Sequence, residues 1–388
     1  MDPFPVAMKI LEKLEKAGGI AYIAGGAVRD FLMGRTPYDI DIATSLNVDT
    51  IRPLFDKTIE VGVQFGIIVV VEEGHQFEIA TFRTDGNYLD GRRPESVLKG
   101  SAEEDAKRRD FTINGMFFNP FTEETIDFVG GKEDLKAKVI RAIGNPHDRF
   151  REDRLRMIRA IRYAARFEFA IDPLTQEAIK EHAPTLLPSV SFERILQEME
   201  KMDLDGTLFH GLIEMHRLGL LQTIFPPLAK IDTLSLQARQ KPKNIPLILQ
   251  LKIFLEFLSD KDRFAWLERL KFSQKELELL TFSDRLFSIL ESPDLQKRVH
   301  AYASPHFEKS APLLPVDHLH FAQDEQNIYK EAIDRIRQKK PLVTANDLLA
   351  HGIEKGPQMG QALKKAEEIA LTHNLHSKDE VLRRLFPN

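Results

Sequence analysis

Two short stretches near the N-terminus combine carboxylates, glycines and an arginine at spacings suited to phosphate chemistry. Tyr22-Ile23-Ala24-Gly25-Gly26-Ala27-Val28-Arg29-Asp30 is followed by Tyr38-Asp39-Ile40-Asp41-Ile42-Ala43-Thr44. A strand alternates its side chains, so Asp39 and Asp41 share one face while Ile40 and Ile42 point into a core. Two carboxylates held side by side repel each other, and shared divalent cations turn that repulsion into affinity. A strand, then Gly25-Gly26, then a helix from about Ala27 offers free backbone N–H groups where a triphosphate can rest. The pair of motifs therefore points to metal-assisted phosphoryl or nucleotidyl transfer. The competing reading of Asp-x-Asp alone is a solvated strand edge, and the adjoining glycines and Arg29 weigh against it.

Further along, Lys107-Arg108-Arg109 precedes Asp110-Phe111-Thr112-Ile113-Asn114, and seven arginines against two acids lie between residues 149 and 166. Arg156, Arg159, Arg162 and Arg166, three or four apart, form a basic stripe on a helix. Arginine makes bidentate contacts with phosphates, so the stripe suits a triphosphate or a nucleic-acid backbone. A helix face turned toward an acidic domain would show the same stripe.

These residues need a scaffold, and the chain supplies two kinds. Before about residue 140, β-rich runs (Ala21 to Ala24, Asp39 to Ala43, Gly66 to Val71, Gln76 to Phe82) alternate with turn signals at Gly25-Gly26, Gly74-His75 and Gly130-Gly131. Beyond it strand-like runs largely vanish, and Asp153 to Arg166, Phe192 to Met202 and Thr207 to Leu221 show apolar residues at helical spacing. Prolines punctuate the helical part, with a boundary signal around Lys309 to Asp317. The 388 residues leave room for two to four modules, and 43% hydrophobic with 29% charged residues excludes a disordered or fibrous chain. A net charge of −5 predicts no bulk attraction to nucleic acid. Cys is absent, so there is no disulfide partner and no thiolate metal site. No leader signal and no membrane span is visible, as expected of a cytoplasmic protein with no membrane partner. The twelve histidines are scattered, and His318-Leu319-His320 has no carboxylate cluster around it.

Gly25-Gly26-Ala27-Val28-Arg29-Asp30, Asp39-Ile40-Asp41 and Arg108-Arg109-Asp110-Phe111-Thr112-Ile113-Asn114-Gly115-Met116, in this order, resemble the class II tRNA nucleotidyltransferases, a superfamily that includes bacterial poly(A) polymerases. The similarity continues through Asp127 to Leu135, Glu152-Asp153-Arg154-Leu155-Arg156 and, more weakly, Ser191-Phe192-Glu193-Arg194-Ile195. It implies an α+β fold: a polymerase-beta-type nucleotidyltransferase head over 1–140, followed by an all-helical neck (141–205), body (206–315) and tail (316–388). It implies template-independent addition of CMP and AMP to the tRNA 3′ end, with tRNA, CTP and ATP as partners and two Mg²⁺ ions as cofactors. Asp39 and Asp41 would hold the metals, with Glu78 as a third carboxylate on a neighbouring strand. Gly25, Gly26, Arg29, Arg109, Asp110, Asn114, Arg159 and Arg162 would contact sugar and phosphates.

Asp153 and Arg156 lie three apart, so on a helix they share one face and can present an acceptor and a fork of donors to one planar base. Cytosine and adenine both place an exocyclic amino donor beside a ring nitrogen acceptor, whereas guanine and uracil place a carbonyl there. A mismatch leaves buried polar groups unpaired, which makes rejection possible. Outside the family the same two residues would read as a helix salt bridge. Glu152, Glu193 and Arg194 would brace the base-reading pair, with Glu198 nearby. The surface loop Asp85 to Glu95 corresponds to a segment that CC-only enzymes lack. Gly356-Pro357 opens a helix in the tail, where 330–388 carry eleven basic against eight acidic residues.

Three rivals share the motifs. An A-adding enzyme shares all of them. A poly(A) polymerase resembles an Arg-Arg-Phe pattern where this chain has Val63-Gln64-Phe65-Gly66-Ile67, a stretch that also departs from the His-Gly-Thr of the tRNA branch. A non-catalytic RNA-binding relative would not need Asp39, Asp41, Arg109 and Asp110.

Overall fold

The computed structural model describes residues 2–37, 39–60, 62–85, 97–237 and 245–387. The segment 86–96, with most of the loop singled out above, lies outside the described residues. The chain divides into two compact units, 1–237 and 238–388.

The first unit opens on the helix Phe4–Lys16, whose Val6, Ala7, Ile10, Leu11 and Leu14 recur at helical spacing and are all buried. That face packs on a mixed sheet built from β1 (Ala21–Ala24), β2 (Asp41–Thr44), β3 (Thr58–Ile59), β4 (Ile67–Glu72), β5 (His75–Thr81), β8 (Met116–Asn119) and β9 (Glu124–Asp127). The strand order is β3-β4-β5-β2-β1-β8-β9, while β6 (Arg83–Asp85) and β7 (Val97–Lys99) form a separate ribbon. Ile23, Ile42, Ile68, Val70, Phe77 and Ile79 fill the core under the helix. Each buries enough apolar area that truncation to Ala costs about 2–5 kcal/mol. The opposite face carries a smaller cluster of Ala24, Ala43, Phe82, Ala106 and Phe117.

Two pairings matter for chemistry. β1 runs antiparallel to β2 with Ala24 opposite Asp41, and β2 runs parallel to β5 with Ile42 opposite Ile79. One residue back along both parallel strands stand Asp41 and Glu78.

Past the sheet, β10 (Val139–Ile140) pairs in parallel with β11 (Ala170–Ile171), a small ladder that strand-like composition did not signal beyond 140. The helices Pro146–Glu152, Leu155–Phe167, Pro173–His182 and Phe192–Leu204 follow. The stretch predicted as one helix over Thr207 to Leu221 is broken into Leu208–Arg217 and Leu220–Ile224, because Gly219 adopts φ +86° between them.

Among its described residues every regular element of the second unit is a helix. Leu286, Val299, Tyr302, Phe307 and Ile333 build one core, and Val343, Leu348, Ala366, Ala370 and Val381 a second. No helix among the described residues is long and apolar enough to cross a membrane.

Candidate active site

The β1 strand ends in a turn that only glycine adopts without strain. Gly25 has φ +67°, its N–H donates to the Met116 carbonyl at 3.1 Å, and a Cβ there would stand 2.8 Å from Arg109 Nη1. The helix Gly26–Leu32 starts at the next residue and carries Arg29 one turn on. Arg29 is buried, with Nη1 donating to Asn114 Oδ1 at 2.5 Å, Nε and Nη2 to Asp30 Oδ1, and the guanidinium stacked 4.6 Å from the Phe167 ring centroid. Its charge is thus committed to holding Asn114 and the helix 155–167 in place.

β2 begins at Asp41, and Asp39 precedes it in a bend. The burial alternation nonetheless runs through both: Asp39 and Asp41 are exposed while Ile40 and Ile42 are buried. Although the side chain reaches solvent, Asp41 lines a cleft whose walls crowd its carboxyl, and the resulting loss of solvation, then the neighbouring Glu78, push it up to about 6. Arg109 opposes the shift and Asp39 adds to it. Three carboxylates that repel one another on adjoining backbone segments are hard oxygen donors, a set that fits divalent ions of the Mg²⁺ class.

Around them the cleft, about 510 Å³, is lined by nine arginines and four carboxylates, together with Gly25, Gly26, Asn114 and Tyr163. Asp105 is the anchor for two of the arginines: its Oδ1 accepts from Arg108 Nε and Nη2, and its Oδ2 from Arg109 Nε and Nη2. Arg109 also stacks on Phe117 with its Cζ 5.1 Å from the ring centroid. Asp110 is fully engaged. Its Oδ1 accepts from the Phe111 N–H and Asn114 Nδ2, and its Oδ2 from Arg159 Nε and Nη2 at 2.9 and 2.6 Å. Burial alone would raise this carboxyl, but Arg159 and Asn114 overcome it and hold it down at about 2. Arg162 lies with its Cζ 4.2 Å from the Tyr163 ring centroid and donates to the buried Glu198 at 2.6 Å.

The expectation that Asp153 and Arg156 share a helix face needs correction. Asp153 has φ −145° and ψ 106°, extended backbone between the helices Pro146–Glu152 and Leu155–Phe167. Its Oδ1 accepts the Leu155 N–H at 3.0 Å, so the side chain competes with the helix for a local donor and interrupts it. The carboxylate is gripped by Arg194 at 2.9 and 3.3 Å. Arg156 donates to Glu152 Oε2 at 2.6 Å and to the carbonyls of Arg149 and Arg108. Among the described residues this leaves Arg156 with its Nε–H and one Nη2–H, and Asp153 with spare acceptor capacity. Both residues line the cleft.

The structure therefore gathers Gly25, Gly26, Arg29, Asp41, Glu78, Arg109, Asp110, Asn114, Asp153, Arg156, Arg159, Arg162 and Arg194 around one space. Asp39 is near enough to act on Asp41 without lining it, Glu152 stands behind Arg156, and Glu193 is exposed on its helix away from the lining. Sequence reasoning missed Asp105 and Tyr163. Asp105 had a legible signal, lying three and four residues before Arg108 and Arg109 on a helix. Tyr163, inside the arginine stripe, had the signal of an aromatic on which guanidinium groups stack.

The model of the poly A polymerase head domain matches residues 21–141, and that of tRNA nucleotidyltransferase domain 2 matches 249–385. A CCA-adding enzyme of Lacticaseibacillus paracasei is 33% identical over 389 residues, covering 99% of this chain and 95% of the relative. A CCA-adding enzyme of Geobacillus stearothermophilus is 47% identical over 201 residues, which spans only 49% of that relative. Among solved structures, the CCA-adding enzyme of Bacillus stearothermophilus in complex with CTP superposes with a TM-score of 0.77 at 29% identity, over 99% of this chain and 98% of that one. By full-length identity, domain order and fold, the chain belongs to the nucleotidyltransferase family of the CCA-adding enzymes.

Proposed function

We propose that this chain adds CMP and AMP to the 3′ end of tRNA, completing C-C-A without a template and releasing pyrophosphate. One observation carries the reading: nine arginines surround Asp41 and Glu78 in one cleft, in a chain whose total charge is −5. A cleft so charged attracts a polyanion, and carboxylates in its lining serve no phosphate ligand unless cations lie between them. Asp39, Asp41 and Glu78 would hold two Mg²⁺ ions, which when bound neutralise phosphate charge and activate a hydroxyl nucleophile.

The chain's own groups do the rest. Arg109, Arg159 and Arg162 spread positive charge along the triphosphate, and their anchoring to Asp105, Asp110 and Glu198 means little reorganisation is needed when charge shifts to the leaving group. Asp153 accepts from the amino group of cytosine or adenine, and Arg156 donates to the ring nitrogen beside it, while Arg194 and Glu152 fix their angles. Arg29, through Asn114, sets the position of Asp110. In this reading residues 1–140 catalyse, 141–205 select the nucleotide, and 206–315 with 316–388 hold the tRNA.

The test offers purified protein three tRNA transcripts lacking the last one, two or three nucleotides, with each NTP alone and with CTP and ATP together. Completion of C-C-A on all three, abolished by Asp41→Asn with tRNA binding retained, is the expected outcome. Addition of A only, or a long A tail, would overturn the assignment in favour of an A-adding enzyme or a poly(A) polymerase.

A further inference from the structure

Outside the cleft, one cluster of titratable side chains among the described residues has the geometry of a metal site. His147 lies near the start of the helix Pro146–Glu152, and Glu181 and His182 end the helix Pro173–His182 packed against it. His147 Nδ1 faces His182 Nε2 at 3.2 Å and Glu181 Oε1 at 3.6 Å, and one ligand atom from each residue falls within 4.8 Å of the others. In a tetrahedral zinc site, bonds of about 2.0–2.1 Å place neighbouring ligand atoms about 3.3 Å apart. His147 stands near that spacing from both His182 and Glu181, and the third pair lies within 4.8 Å, with His182 buried, His147 partly buried and Glu181 open to solvent.

We propose that His147, Glu181 and His182 bind a borderline divalent ion of the Zn²⁺ type, at a site separate from the nucleotide cleft. Two imidazoles and one carboxylate select such an ion over Mg²⁺, which prefers oxygen ligands throughout. The fourth position is left for water. Glu181 offsets the charges of Arg151 and Arg154, which also reach His182. A simple hydrogen bond between two imidazoles is the competing account of the 3.2 Å contact.

The position gives the ion a structural consequence. The helix that carries His147 runs straight into Asp153, and Arg154 Nε donates to Thr185 Oγ1 at 3.0 Å, which in turn donates to the His182 carbonyl at 2.8 Å. An ion at this site ties the segment leading into the base-reading pair to the segment 173–185, a staple at the point where the helix breaks.

The experiment uses the full chain, stripped with chelator and titrated calorimetrically with Zn²⁺ in a large excess of Mg²⁺, which occupies the all-carboxylate positions. One equivalent of Zn²⁺ should bind, with a rise in melting temperature. His147→Gln should abolish that equivalent, and the exposed Glu181→Gln should weaken it by about tenfold or more. Both variants should retain the native circular dichroism and nucleotide binding. Absence of Zn²⁺ binding under these conditions, or binding undiminished in His147→Gln, overturns the site.

Discussion

Asp110 is held between Arg159 and Asn114 with both oxygens occupied, and it links the sheet-bearing part of the first unit to the helix Leu155–Phe167. Its low folded value means that it binds a proton more weakly folded than unfolded. Stability from this carboxylate is therefore present above the ordinary value of 3.8 and lost as pH falls through about 2. Asp110→Asn leaves Arg159 with only Glu198, 4.0 Å away, as a buried counter-charge, and urea denaturation at neutral pH should show a loss of about 3 kcal/mol that shrinks in strong acid. Arg156 makes a different prediction, because in the proposed reading the donors it does not spend on Glu152, Arg149 and Arg108 would meet the base. Lysine keeps the charge but not the fork, so Arg156→Lys should lower the kcat/KM preference for CTP and ATP over UTP and GTP by at least about tenfold, measured at a temperature where the variant, short of the bonds to Arg149 and Arg108, remains folded. Residue types alone pointed to most of this site. They did not indicate that Arg29 is spent on Asn114 and Asp30, since burial of an arginine depends on what the distant Phe167 covers.

At the scale of elements, the strands at 21–24, 41–44, 67–72 and 75–81 lie within two residues of where the β-rich runs placed them. The two disagreements that bear on chemistry both come from local hydrogen bonding that periodicity does not register. β2 starts at Asp41 rather than Asp39, its ladder to β1 beginning where Asp41 meets Ala24. The helix breaks at Asp153 because the side chain takes the Leu155 N–H. The turn after β1 carries its own prediction. At φ +67° any L side chain is strained, so Gly25→Ala should cost about 1–3 kcal/mol of stability. The new methyl also displaces Arg109 Nη1, so the KM for nucleotide should rise beyond what the stability loss explains, measured at a temperature where the variant remains folded.

For the whole molecule, a total of −5 suggested indifference to nucleic acid, but the positive charge is concentrated in the cleft. Binding that rests on such contacts releases counterions. Raising salt from about 50 to about 200 mM should therefore weaken tRNA binding by at least about tenfold, read as a linear fall of log K with log salt by filter binding. A salt-independent affinity would remove phosphate contacts from the account. By itself the sequence determined the class of chemistry and the elements that carry it, because alternation, helical spacing and glycine turns are local and survive in a linear reading. Only the tertiary structure decided that Asp41 stands beside Glu78, that Arg194 grips Asp153 across 41 residues, and that His147 meets His182 across 35. Those meetings follow from strand register and helix packing, which are set by the shared burial of many distant apolar side chains and are written in no single segment.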